Sequence, residues 1–129
     1  MLIFKFPNAL NSLMENKQNA YFITRWQSQI KKGLFEYIIM LLLQKKERYG
    51  YELISEIKKL ADMDIAEGTI YPLLSRLKKE KLVDSRWVEM DEGVPRKYYK
   101  LTDQGNAYLE TMYQYLGELM QAITDLKNV

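Results

Sequence analysis

The sequence contains neither cysteine nor histidine among its 129 residues. Without cysteine there is no disulfide, no thiolate nucleophile and no cysteine-based zinc site. Without histidine, general-base catalysis by imidazole and the usual zinc and copper ligand sets are excluded as well. Asp62 and Asp64 offer a hard cation only weak ligation, since two carboxylates in a turn are usually solvated. We therefore expect no enzyme, no cofactor and no bound metal.

Long apolar runs are also absent. The run near residues 34–43 is too short to cross a bilayer. Residues 1–7 lack the sustained apolar stretch and the cleavage pattern of a signal peptide. We therefore expect a cytoplasmic protein with no membrane partner.

The chain carries only a small net charge. The net charge is +2, from 19 Lys and Arg against 17 Asp and Glu, which does not by itself indicate a nucleic-acid partner. The basic residues are nevertheless concentrated at 76–81 and 96–100, whereas acidic residues are spread more widely. With 47% apolar residues, the chain suits one compact domain with an additional element.

The segment 67–80 is the most informative part of the chain. Its apolar residues recur at i, i+3, i+4 and i+7, the spacing of one helical face. They are Ile70, Leu73, Leu74 and Leu77. Hydroxyl, aromatic and cationic side chains occupy the rest: Thr69, Tyr71, Ser75, Arg76 and Lys79. Such a helix can offer its polar side to phosphates and base edges, although an ordinary amphipathic surface helix has the same pattern.

Pro72 lies inside this segment. A proline removes one backbone hydrogen bond and crowds the carbonyl four residues back, at about 3 kcal/mol in a helix interior. Here that carbonyl belongs to Gly68, in the first turn, where hydrogen bonds are incomplete anyway. Because the apolar spacing continues across Pro72, we predict a single helix.

Two strand-like runs follow this helix. The first covers residues 82–90, residues 91–95 form a loop with turn-forming Gly and Pro, and the second covers 96–101. A helix followed by a hairpin with a basic returning strand is typical of a winged helix-turn-helix. Arg96 and Lys97 are equally compatible with a charged edge strand that resists aggregation. The preceding helix favours nucleic-acid binding.

The upstream segment supplies the remaining helices of this domain. Residues 34–42 would form a helix that is apolar on nearly all sides, which predicts that this helix is the buried centre of the core. Residues 44–48 are interpreted as a charged connector, and a second helix opens at 49–51. The segment 61–66 is the turn into the helix at 67–80.

Four motifs in order carry a resemblance to a known family. They are the segments 49–53, 67–77, 95–99 and 101–105, with sequences YGYEL, EGTIYPLLSRL, PRKYY and LTDQG. In order and spacing they resemble the PadR family of bacterial transcriptional regulators, from about Trp26 to the C-terminus. The resemblance implies a mainly α protein with a small β-hairpin: a winged helix-turn-helix plus a long C-terminal dimerisation helix. It also implies a homodimer that represses promoters and often responds to small molecules.

The resemblance also implies the residues that contact DNA. In such proteins the third helix enters the major groove, and tyrosines and basic wing residues contact the DNA backbone. The corresponding residues here are Tyr51, Thr69, Tyr71, Ser75, Arg76, Lys79, Arg96 and Lys97. Arg76 is the main candidate for base readout, because a guanidinium bonds bidentately to guanine. We expect Arg76 and Arg96 to lie on one side of the molecule.

Two positions depart from the family pattern. Ala66 stands where many relatives have a capping Ser, which would cost about 1 kcal/mol of helix stability. Glu67, in the first turn, recovers part of that cost through the helix dipole. The hairpin tip is acidic at Asp91 and Glu92, which argues against deep insertion into the minor groove.

The C-terminal segment predicts dimerisation. Thr102 can cap a helix that begins at Asp103. Apolar residues then alternate spacings of three and four, which is a heptad seam. They are Leu109, Met112, Leu116, Leu119, Ile123 and Leu126. The alternative is that this row packs only on its own domain, but a helix of roughly 25 residues, ~37 Å long, is too long for so small a core.

Residues 1–30 are less informative. A helical stripe includes Trp26, which we interpret as an interface or core aromatic residue. We divide the chain into an N-terminal extension and helix at 1–25, the winged helix-turn-helix at 26–101 and the dimerisation helix at 102–129. Trp26, Tyr108 and Tyr115 are candidates for the pocket of a small aromatic effector.

These observations lead to one functional hypothesis and one alternative. The chain is predicted to be a sequence-specific DNA-binding transcriptional regulator, a repressor released by a small-molecule effector. A twofold dimer would recognise a pseudo-palindromic operator in double-stranded DNA. The alternative is a winged-helix protein-interaction module that does not bind DNA.

Overall fold

The structure, a computed structural model, describes residues 17–129. Of the predicted N-terminal segment 1–25, residues 1–16 lie outside the described residues. The elements in chain order are α1 (Lys17–Lys45), β1 (Arg48–Tyr49), α2 (Gly50–Ala61), α3 (Glu67–Lys79), β2 (Val83–Val88), β3 (Arg96–Leu101) and α4 (Asp103–Lys127). This order confirms the predicted mainly α fold with a hairpin between the third and last helices. Within residues 17–129, no helix has an apolar stretch long enough to span a membrane.

The core lies where the C-terminal half of α1 meets α2, α3 and the sheet. The predicted burial of the 34–42 segment is confirmed, with Ile39 and Met40 fully enclosed. Leu53 and Ile57 reach this core from α2. Burying each such side chain contributes about 1.5–3 kcal/mol. The apolar face of α3 completes the core with Ile70, Leu74 and Leu77.

Helix α1 runs without interruption from Lys17 to Lys45. The division that we drew between residues 25 and 26 therefore falls within one continuous helix. The part of α1 that precedes the core keeps its large side chains exposed: Tyr21, Phe22, Trp26 and Ile30. This half of α1 extends beyond the chain's own core.

The sheet has a third strand that the sequence interpretation missed. The strand order is β1-β3-β2, and β1 pairs antiparallel with β3 through Arg48 opposite Tyr99 and Tyr49 opposite Tyr98. Arg48, interpreted as part of a charged connector, is buried, and its Nε donates to the Leu42 carbonyl at 3.3 Å. A strand of two residues has no recognisable periodicity, so only pairing with β3 reveals it.

The hairpin of β2 and β3 forms the wing. Its register runs from Val83 opposite Leu101 to Val88 opposite Arg96. Strand β3 has the predicted bounds, whereas β2 is shorter than the predicted 82–90. The connecting loop is exposed and contains Gly93 at φ 91, a conformation that favours glycine.

Helix α3 continues through Pro72 as one helix, as predicted. Ala66 occupies its N-cap and supplies no side-chain hydrogen bond, which confirms the predicted absence of a cap. The N–H groups of Thr69 and Ile70 instead bond to the Ala66 carbonyl at 2.9 and 3.0 Å.

A serine at position 66 should therefore stabilise the protein. A Ser hydroxyl can accept a hydrogen bond from a first-turn N–H group that Ala66 leaves without a side-chain partner. Ala66→Ser should raise the free energy of unfolding by about 0.5–2 kcal/mol in urea denaturation. Ala107→Ser, an exposed position inside α4, is the matched control and should be neutral or slightly destabilising. Equal effects of the two substitutions would contradict the capping argument.

Helix α4 starts as the sequence predicts. Thr102 is the N-cap, and its Oγ1 accepts a hydrogen bond from the Gly105 N–H at 3.0 Å. The same hydroxyl donates to the Lys81 carbonyl at 2.7 Å. The cap therefore ties the start of α4 to the segment that enters β2.

Candidate nucleic-acid interface

Helix α3 presents four different surfaces around its axis. Ile70, Leu74 and Leu77 define the buried face, so at 100° per residue the opposite side points to solvent. This outer face carries Gly68, Pro72, Ser75 and Lys79, all exposed. Between the two faces lie two flanks, one toward α1 and one toward the wing. The predicted contact residues Ser75 and Lys79 thus lie on the outer face.

The flank toward the wing borders an open cavity of about 640 Å³, which we call the wing groove. It brings together four predicted contact residues, Tyr51 from α2, Tyr71 from α3, and Arg96 and Lys97 from β3. Its complete lining is Tyr49, Gly50, Tyr51, Tyr71, Trp87, Val94, Pro95, Arg96, Lys97 and Tyr99. The walls are therefore mostly aromatic and the charges are cationic.

Both cations of the wing groove lie over aromatic rings. The Arg96 guanidinium lies 4.5 Å from the centroid of Tyr49. The Lys97 ammonium lies 5.6 Å from the centroid of Trp87 and 5.9 Å from that of Tyr99. Such rings orient a cation without neutralising it. Both charges remain available to an anionic partner.

The two exposed phenols of the groove remain neutral hydrogen-bond donors. A hydrogen bond to the Glu67 carboxylate raises the pKa of Tyr51. Burial raises the pKa of Tyr71. Gly50 allows the Tyr71 ring to approach α2, because a Cβ there would lie 2.6 Å from Tyr71 Cε1. At neutral pH the Tyr71 hydroxyl can donate to a phosphate oxygen, and the Tyr51 hydroxyl can do so by exchanging the Glu67 carboxylate for the phosphate.

The opposite flank of α3 faces α1 and holds Thr69 and Arg76. Thr69 lines a groove of about 690 Å³ with residues of α1 such as Ser28 and Lys31. Arg76 forms an ion pair with Glu36 of α1 through its Nη2 atom. Arg76 therefore lies on the flank of α3 opposite the wing groove that holds Arg96, and their facing one DNA duplex together stays a prediction. Helical geometry places Arg76 on one flank, while the wing packs against the other.

Trp87 is a groove residue that the sequence interpretation missed. It is 67% exposed and lies opposite Lys97 across the hairpin. Strand alternation contained the signal, because Trp87 shares its face of β2 with the buried Val83. That face extends past the edge of the core and becomes the wall of the groove.

The predicted dimerisation seam divides into two parts. Leu109 is only 3% exposed and Met112 packs against the core, so these two residues stabilise the chain's own domain. For Leu109, the alternative of packing on the same domain is correct, because the first half of α4 packs against α1. Farther along α4 the seam lies beyond the core: Leu116 is half-buried, and Leu119, Ile123 and Leu126 are exposed.

An apolar groove of about 510 Å³ lies between α1 and α4. Its lining is Gly33, Leu34, Tyr37, Thr111, Met112, Tyr115 and Leu116. Of the three candidate effector residues, Tyr115 lines this groove. Trp26 and Tyr108 are exposed elsewhere on the same helices. The structure does not bring the three aromatic residues into one pocket within a single chain.

Known proteins resemble this chain in both fold and sequence. The PadR-like family of transcriptional regulators matches residues 38–111, more than half of the chain. The chain belongs to the PadR-like family. A solved PadR-like transcription factor from Bacteroides fragilis has 42% identity and a TM-score of 0.68, over 79% of this chain and 98% of that one. The family resemblance carried by the four motifs is thus confirmed.

Two curated relatives of this PadR-like chain have named roles in transcription. The transcriptional regulator YqjI of Escherichia coli is 32% identical over 60% of this chain and 37% of YqjI. The transcriptional activator GvpE of Haloferax mediterranei is 30% identical over 65% of this chain and 41% of GvpE. The chain spans less than half of the length of these two regulators. Family and relatives support DNA-binding regulation of transcription as its function.

Proposed function

We propose that this PadR-like chain binds a specific DNA duplex as a homodimer and represses the promoter that contains it. The observation that carries the proposal is the wing groove, with two unneutralised cations and two neutral phenols beside the exposed outer face of α3. A surface of this chemistry is matched to a phosphodiester backbone next to a groove of bases.

The outer face of α3 is shaped for close approach to base edges. Gly68, Pro72 and Ser75 are small or lack a long side chain, so the helix backbone can enter the major groove deeply. Ser75 can donate to or accept from a base, and Lys79 reaches base or phosphate oxygens. Arg76, on the flank toward α1, is the candidate for guanine.

The wing groove would follow one strand of the backbone. Arg96 and Lys97 supply the charge, and the hydroxyls of Tyr51 and Tyr71 supply hydrogen bonds, as backbone contacts that position the protein. Trp87 offers an apolar surface to the sugars. The exposed acidic tip at 91–92 favours a wing that lies along the backbone rather than inside the minor groove.

Dimerisation would use the apolar parts of α1 and α4 that extend beyond the core. Trp26 and Phe22 of α1, and Leu119 and Ile123 of α4, are large, apolar and exposed. Monomeric proteins rarely expose contiguous apolar surface of this kind. A twofold pair would present two copies of α3 to successive major grooves, which predicts a pseudo-palindromic operator.

A small aromatic effector would act through the same region. The apolar groove that Tyr115 lines joins α1 to α4, so a ligand there could alter the spacing of the two copies of α3.

With chromosomal DNA as partner, the place of action would be the cytoplasm. A promoter–reporter fusion with and without the gene for this protein distinguishes repression from activation.

Binding to a mixed-sequence duplex at two salt concentrations tests DNA binding directly. Phosphate contacts release counterions, so affinity should fall roughly 10³-fold between about 50 and 200 mM salt. The double substitution of Arg96 and Lys97 by alanine removes four cations from the dimer and should reduce the slope of log K against log salt by roughly 4. Lys127→Ala, at the far end of α4, should leave the slope unchanged. No detectable binding at low salt would favour the protein-interaction module instead.

A further inference from the structure

One predicted DNA contact is already engaged by a carboxylate. The Arg76 guanidinium on α3 pairs with Glu36 on α1, two residues 40 positions apart in sequence. Glu36 follows Phe35, whose side chain is buried in the core, so this turn of α1 is anchored to the domain. In the described part of the chain, Lys79, Arg96 and Lys97 form no ion pair with a carboxylate. Arg76 is thus distinct among the cations of the proposed interface.

We propose that Glu36 sets the sequence specificity of Arg76 by competing with DNA for its guanidinium. This inference rests on the proposed function, because it assumes that α3 meets DNA. Glu36 would act without touching a base, as a positioning residue. In the absence of a correctly placed guanine, Arg76 would stay paired with the Glu36 carboxylate.

The competition discriminates between sequences because phosphates are present in every duplex, whereas the position of a guanine edge depends on the sequence. A carboxylate and a phosphate each accept the planar guanidinium fork with two oxygens, and guanine presents O6 and N7 in a similar arrangement. A phosphate of an arbitrary sequence offers charge, which Glu36 already supplies. Moving Arg76 to either DNA group would leave Glu36 unpaired beside the polyanion. Only a correctly placed guanine would compensate for the lost pair.

The Arg76–Glu36 ion pair is weak enough for DNA to replace Glu36 as the partner of Arg76. The Arg76 side chain is 53% exposed and that of Glu36 35% exposed, so water and salt screen their attraction. An exposed pair of this kind changes an equilibrium by no more than about fivefold. A bidentate contact to guanine provides a larger gain than that. DNA of the right sequence can therefore displace Glu36, whereas other sequences gain little by doing so.

The test compares Glu36→Gln with wild type on two duplexes. One duplex is selected by the wild-type protein from a randomised library, and the other is a mixed-sequence duplex of equal length. Glu36→Gln should tighten binding to the mixed duplex about threefold to fivefold per protomer and steepen the salt slope of the dimer by about 2. Binding to the selected duplex should change less, so the ratio of the two affinities falls.

A second ion pair supplies the matched control. Glu47 pairs with Arg86 at 2.6 Å, with 30% and 63% of the two side chains exposed. Glu47→Gln removes the same charge and leaves Arg76 engaged, so the affinity ratio should stay at the wild-type value. Thermal unfolding of both variants establishes that each is folded.

Arg76→Ala separates competition from simple charge repulsion. In an Arg76→Ala background, Glu36→Gln should have no further effect on the affinity ratio, because the contested guanidinium is gone. An unchanged ratio in Glu36→Gln, or the same change with and without Arg76, would overturn the inference while leaving DNA binding intact. Failure of the wild-type protein to bind DNA or to select a sequence would instead overturn the proposed function.

Discussion

Replacing Ile123 with glutamate should convert the proposed dimer to a monomer and weaken binding to the selected duplex by at least ~100-fold. Ile123 is 48% exposed and lies in the part of the seam that extends past the core. Dimer formation would bury it, and an unpaired carboxylate there would have to be desolvated. Two linked recognition helices gain roughly 10²–10⁴-fold over one, and a monomer loses that gain.

Analytical ultracentrifugation and fluorescence anisotropy measure the two effects on the same sample. Gln121→Glu is the matched control, because it adds the same charge to the side of α4 that faces away from the seam. It should remain a dimer and bind DNA with wild-type affinity. A monomeric wild type, or an Ile123→Glu protein that remains a dimer, would refute the assigned dimer surface.

The second large effect is expected at Gly105, where alanine should severely destabilise the fold. Gly105 is buried in the first turn of α4. A Cβ at this position would collide with the Leu82 carbonyl oxygen and lie 2.6 Å from Leu101 Cδ1. The Leu82 oxygen cannot move away freely, because it accepts the Thr102 N–H at 3.1 Å. Overpacking against backbone should cost about 3 kcal/mol, a large share of a typical stability of 5–15 kcal/mol.

A second glycine in α4 provides the comparison. A Cβ added at Gly117 would meet no other atom within 4 Å, so alanine adds helix propensity without a clash. Gly117→Ala should raise the free energy of unfolding by about 0.5–1 kcal/mol. Thermal denaturation followed by circular dichroism should show Gly105→Ala melting about 10 °C below wild type and Gly117→Ala melting above it. Similar melting temperatures for both variants would contradict the close packing at Gly105.

Local patterns determined most of the elements. The 3.6-residue apolar period across Pro72 predicted α3 as one helix, and Thr102 predicted the start of α4. The alternating basic strand predicted β3 with its observed bounds. In each case the signal lies within a few residues, because helix periodicity, caps and turns are properties of the local chain. The family resemblance followed from the same segments.

The composition of the interface was also present in the sequence, but its grouping was not. Tyr51, Tyr71, Arg96 and Lys97 were each predicted, and the fold collects them from three elements into the wing groove. Trp87 joined them because the hairpin register places it opposite Lys97. That register depends on pairing between strands and on the limits of the core, which no single segment contains.

By itself, the sequence determined the helices and the hairpin. It also determined that Ala66 supplies no side-chain cap to α3, and which kinds of side chain are present to contact DNA. Only the tertiary structure decided which of them lie together. It placed Arg76 beside Glu36 rather than beside Arg96, buried Arg48 in a two-residue strand, and divided the seam of α4 at Leu116. The physical reason is that periodicity specifies which face of an element is apolar, whereas partners across 40 or more residues depend on how those faces pack.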